Sequence, residues 1–130
     1  MNAAIEFHDS RLEAVDFVGP DLVIRLRPAY VHRWEGEPGV GPRSGWLQDV
    51  DVVVIGAVLE SSPPVYPVEI ADGEVVVGCR RWNNLVPLPC DMEGETMLLC
   101  LTAGLHRLSV RGVGISVEAT GEPRYVEEVP

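Results

Sequence analysis

Valine-rich runs broken every few residues by glycine or proline restrict this chain more than any other feature. Valine is the most frequent of its 130 residues, with 21 copies, and 13 Gly and 11 Pro punctuate the runs. β-Branched side chains suit a pleated, half-buried surface. No window of about 11 residues keeps a period of 3.6, and the turn signals recur every ~8–12 residues, the rhythm of sandwiches and barrels.

Residues 21–27 alternate: Leu22, Ile24 and Leu26 share one face, while Arg25 and Arg27 take the other. Pro28 then predicts an edge position or a bulge. Residues 35–45 hold four glycines and two prolines and read as a loop. Residues 46–60 form the longest strand candidate, with Trp46, Gln48, Val50, Val52 and Val54 on one parity and a second half apolar on both. Asp72-Gly73 between apolar runs predicts a type I′ hairpin. A second hairpin is expected about Arg111-Gly112, with Leu108 and Val110 facing inward on one arm and Val113, Ile115 and Val117 on the other. Residues 79–93 read as a connection with one short strand at most, and 95–102 as a buried strand. The expected architecture is a single domain over residues 1–130. It is all-β, an antiparallel sandwich or small barrel of about seven to nine short strands.

Composition excludes several chemistries. The formal charge is -10 and all ten basic residues are arginine. Without lysine there is no Schiff base and no phosphate-loop lysine. Residues 1–65 and 66–130 each hold five Arg and ten acids. With no basic half or tail, no nucleic-acid partner is expected, and an anionic membrane surface would repel the chain. The charge suits a basic protein partner. No run approaches ~18 apolar residues, so no membrane-spanning helix is expected, and the opening residues lack a basic and an apolar region, so no secretory signal is expected. Cys79, Cys90 and Cys100 make an odd set without a Cys-x-x-Cys pair. That predicts a reducing cytoplasm, no disulfide framework and no zinc site, since His8, His32 and His106 are also far apart. No metal and no cofactor are expected.

Few constellations carry chemistry. Tyr30, His32 and Trp34 share a strand parity and, with Trp46 beyond the Gly-rich loop, form a candidate aromatic groove for a small ligand or peptide. The competing reading places these rings at one end of the core. His8, Asp9 and Ser10 are the residue types of a hydrolytic triad, but neighbours in an extended chain point to opposite faces, so a structural corner is expected. Arg80, Arg81, Trp82, Asn83 and Asn84 cluster on an expected loop and could recognise a carboxylate or phosphate; the ordinary reading is a solvated face. Glu118, Glu122, Glu127 and Glu128 make an acidic C-terminal end. No residue is assigned as catalytic.

The opening Phe7-His8-Asp9-Ser10, the stretch Ala29-Tyr30-Val31-His32, the Gly-rich loop with Gly45-Trp46, and the closing Gly121-Glu122-Pro123-Arg124-Tyr125-Val126-Glu127 together resemble a group of small, uncharacterised bacterial all-β proteins. The resemblance implies a bacterial, stand-alone, single-domain protein and assigns no activity. Small acidic all-β proteins also occur as immunity proteins beside secreted toxins. Two functions are therefore expected in competition. One is a non-enzymatic binding domain, immunity-like with a basic protein partner in one case, or self-associating. The other is a small-molecule binder or enzyme with an aromatic groove around His32, with hydrolysis through His8 or His32 as a variant.

Overall fold

Apolar side chains two residues apart bury one side of a strand, and this chain uses that device throughout. The computed structural model describes residues 2–37 and 41–129, and among them there are eleven strands and no helix. They are β1 (Asn2–Glu6), β2 (Arg11–Val18), β3 (Asp21–Trp34), β4 (Arg43–Ile55), β5 (Val58–Leu59), β6 (Val68–Val77), β7 (Arg80–Asn83), β8 (Leu85–Pro87), β9 (Cys90–Thr102), β10 (Arg107–Ala119) and β11 (Arg124–Val129). The fold is all-β, and of the two architectures expected it is the barrel. Six antiparallel strands close in the order β3–β4–β10–β9–β6–β2 and back to β3. The closing contact between β2 and β6 is short, Arg11 opposite Glu69 and Leu12 opposite Val68.

The interior is filled from every barrel strand. Leu12 comes from β2, Leu22, Ile24 and Leu26 from β3, Val50, Val52 and Val54 from β4, Val75 and Val77 from β6, Leu98 and Cys100 from β9, and Ile115 and Val117 from β10. On β4, Gln48, Val50, Val52 and Val54 are buried as the parity predicts. Its end is not buried on both sides, because Ile55 is 37% exposed. Pro28 does mark a bulge: the β3–β4 register shifts between Leu26 and Ala29. Upstream of that bulge β3 is flanked by β2, and downstream by β1. Residues 7–10 are the corner between those two strands. β8 adds to β1, β7 to β6, β5 to β10 and β11 to β4.

Two predicted hairpins are corrected. Asp72 and Gly73 lie inside β6, which pairs with β9 on both sides of them, and the chain reverses instead at Gly78-Cys79, where Val77 opposes Arg80. Gly73 serves a close approach: a Cβ there would come within 2.5 Å of Cδ2 of the buried Phe7 ring. Arg111 and Gly112 lie inside β10, where the register shifts between Gly112 and Gly114. That bulge moves the inward parity from Leu108 and Val110 to Ile115 and Val117, and it leaves Val113, expected inside, 63% exposed. Residues 79–93 are also more ordered than expected, holding β7, β8 and the start of β9. These short pieces raise the strand number above seven to nine. The loop predicted over 35–45 is shorter, since β4 starts at Arg43; residues 38–40 of it lie outside the described residues.

Candidate functional site

Tyr30, His32, Trp34 and Trp46 do not meet on one surface. In the β3–β4 ladder Val31 is opposite Trp46 and His32 is opposite Gly45. Directly opposed residues share a face. Trp46 therefore lies with Val31 on the inner face and packs against the core, whereas Tyr30, His32 and Trp34 take the outer face. The indole of Trp46 meets Tyr125 edge-on at 5.4 Å, carries the Arg33 guanidinium at 5.6 Å, and donates from Nε1 to Ser44 Oγ at 2.8 Å. On the outer face, His32 is only 6% exposed, with Tyr30 edge-on at 5.1 Å and its Nε2 3.5 Å from Glu6 Oε2. Tyr30 Oη donates to Glu127 Oε1 at 2.8 Å. Burial first, then that carboxylate, pushes the phenol up to about 12. The four-residue groove expected from sequence is not formed, because the sheet itself separates its walls.

His8, Asp9 and Ser10 occupy the β1–β2 corner. Ser10 is fully buried; its Oγ donates to the Glu6 carbonyl at 2.5 Å and accepts from the Tyr30 amide at 3.0 Å. Asp9 has φ of +72°. The exposed His8 ring lies 3.0 Å from the Ala71 carbonyl and 3.4 Å from Asp9 Oδ1, and that carbonyl first, then Asp9, raises its pKa. The serine hydroxyl is committed to backbone and the imidazole points to solvent, so the three do not form a relay.

The arginine cluster is on β7 rather than a loop. Arg80 stacks on Trp82 at 4.8 Å and Arg81 pairs with Glu74 at 3.3 Å. Asn84 closes the corner, accepting the His8 amide on Oδ1 at 2.7 Å. In the acidic C-terminal end, Glu127 and Glu128 accept from Tyr30 and Tyr125, and Glu118 stands opposite Asp51. No group of three or more His, Cys, Asp or Glu suited to a metal ion occurs among the described residues.

The cysteines differ in environment. Cys79 is exposed, Cys90 is half-buried and Cys100 is buried. Burial raises the Cys90 thiol, and Asp91 adds to it; burial pushes the Cys100 thiol up to about 12. A thiol reagent at pH 8 is expected to modify Cys79 promptly, Cys90 slowly, and Cys100 only on unfolding, a protection of at least ~10³-fold. Cys79→Ser should remove the fast phase. A single common rate for all three thiols in the folded protein would contradict this burial pattern.

One cleft combines segments that sequence reading kept apart. Trp34, Trp82, Leu85, Pro87, Leu88 and Pro89 line a space of about 570 Å³, completed by the start of β1 at Asn2, Ala3 and Ala4. Backbone pairing assembles it: Asn2 opposes Trp34, Ala4 opposes Pro87, and the Leu88 amide donates to the Ala3 carbonyl at 3.0 Å. None of the nine lining side chains ionises. A surface groove of similar size along the β10 bulge has no aromatic wall and includes Glu95 and Arg111. No family model, curated protein or solved structure matches the chain.

Proposed function

We propose that this chain is a non-catalytic binding module that takes an apolar segment of a basic protein into the Trp34–Trp82 cleft. The observation that carries the reading is the lining: two indoles, two prolines and two leucines, with no acid, base or nucleophile among the nine residues. Such walls desolvate an aliphatic or aromatic side chain but offer nothing to move a proton. The size lies within the usual range of ligand clefts, ~300–1,000 Å³. Pro87 and Pro89 supply no amide N–H, so an added strand would find a poor template along β8, and recognition falls to side chains. The net charge of -10 favours a cationic partner. An immunity-like inhibitor is the special case in which that partner is a toxin.

Two of the three tryptophans line the cleft, so intrinsic fluorescence reports occupancy. A peptide of alternating leucine and arginine is expected to shift the emission saturably, with half-saturation of order micromolar. The leucine–glutamate counterpart should leave the emission unchanged. Leu85→Arg, at a rim position already 36% exposed, should weaken binding at least about tenfold by placing a charge in the apolar wall. Equal binding by the Leu85→Arg protein, or no shift with the basic peptide, rejects the proposal.

A further inference from the structure

Over residues 96–102 of β9 both faces carry apolar side chains, unlike an antiparallel strand with one solvated face. Thr96 and Thr102 point inward beside Leu98 and Cys100, while Met97, Leu99 and Leu101 point outward, the first two 39% and 36% exposed. The inward hydroxyls are satisfied locally, Thr96 on the Gly94 carbonyl at 2.9 Å and Thr102 on that of His106 at 3.3 Å. A face in contact with water would carry polar residues at those outward positions. Val76 on β6 and Val58 on β5 continue the same face.

The charges beside this stripe are antisymmetric. At one level across the sheet Asp72, Leu101 and Arg107 stand side by side; at the next come Glu74, Leu99 and Ser109; then Val76, Met97 and Arg111. Glu74 and Arg111 are already paired, with Arg81 and Glu60. Arg107 has no ion-pair partner among the described residues, and neither has Asp72. These two sit two strand spacings apart, roughly 10 Å.

We infer that this face joins two copies of the chain, related by a two-fold axis running along β9. That axis lays β9 on β9 and each β6 over the partner copy's β10. The apolar stripe is then covered by its own image, and Asp72 of each copy meets Arg107 of the other at the same level. A two-fold across the strands would instead lay β6 on β6, leaving each Arg107 facing the partner's β10. Over the levels of Leu101 to Met97 the charges therefore favour a second copy and this axis, with Glu95, Glu93 and Asp91 further along β9 lying beyond the contact. The inference does not depend on the cleft, and the two can fail separately.

Sedimentation equilibrium tests it. The unmodified chain should give twice the chain mass. Asp72→Arg and Arg107→Asp each place like charges opposite one another, and each alone should weaken the dimer at least about tenfold. An equimolar mixture of the two single variants should recover the dimer, since one copy then carries two arginines and the other two aspartates at the contacts. A structural role within one chain could not produce that recovery. Both positions are exposed, so folding is expected to survive, and Leu99→Glu should independently yield monomers. A monomeric unmodified chain, dimeric single variants, or a mixture that remains monomeric overturns the inference.

Discussion

Gly73→Ala is expected to destabilise the protein by about 3 kcal/mol or more, at the upper end of overpacking in a core. That is a large fraction of the ~5–15 kcal/mol that holds a domain together. The added Cβ would stand 2.5 Å from Cδ2 and 2.8 Å from Cβ of Phe7. Neither partner can give way easily. Phe7 is fully buried, and its amide donates to the Asn84 carbonyl at 2.8 Å while the Asn84 amide donates to the Gly73 carbonyl at 2.7 Å. The ring and the glycine are thus clamped through one intermediate residue. Urea unfolding should show a lower midpoint with an unchanged slope. Combining Gly73→Ala with Phe7→Leu should lose less than the sum of the single losses, by about 1–2 kcal/mol, since the smaller side chain relieves the clash. A Gly73→Ala protein within about 1 kcal/mol of the parent would show that the ring is not confined.

The same glycine explains where sequence reading fails. Asp-Gly between apolar runs signals a hairpin because glycine reaches positive φ without strain. Glycine also serves where a side chain crosses close to the backbone, and the letters do not separate the two uses. At Gly73 the crossing side chain is Phe7, 66 positions earlier in the chain, so local pattern holds no trace of it. The class of fold, in contrast, was legible. The parity of Leu22, Ile24 and Leu26, the parity of Val50, Val52 and Val54, and the bulge at Pro28 are local properties, and all appear in the barrel.

The candidate site follows the same division. Tyr30, His32 and Trp34 share a face because parity within one strand is local. Whether Trp46 joins them depends on the register across the β3–β4 connection, and a slip of one residue would have moved it to the other face. The pairing of Val31 with Trp46 decides against the groove. The Trp34–Trp82 cleft was invisible for a related reason. Its lining comes from residues 2–4, 34 and 82–89, brought together by the pairings of β1 with β3 and β8 and by that of β7 with β6, which places Trp82.

Gly112→Ala should be at least as damaging, about 3 kcal/mol or more, because the obstacle is main chain. A Cβ at this position would lie 2.5 Å from the Ile55 carbonyl oxygen and 2.5 Å from Val54 Cγ1. A side chain can rotate away from a clash, whereas this carbonyl belongs to β4 where that strand ends beside β10. The bulge also sets which residues of β10 face inward, carrying the alternation from Leu108 and Val110 to Ile115 and Val117. Relieving the clash by straightening the strand would turn Ile115 and Val117 toward water, so the cheaper escape is closed as well. The control is Gly104→Ala: nothing lies within 4 Å of a Cβ built there, and its effect should stay within about 0.5 kcal/mol. Thermal unfolding of the pair should separate the two by roughly 10 °C, taking about 3–4 °C per kcal/mol for a chain of this size. Equal melting temperatures for the two variants would mean that β10 crosses β4 with more room than the register allows.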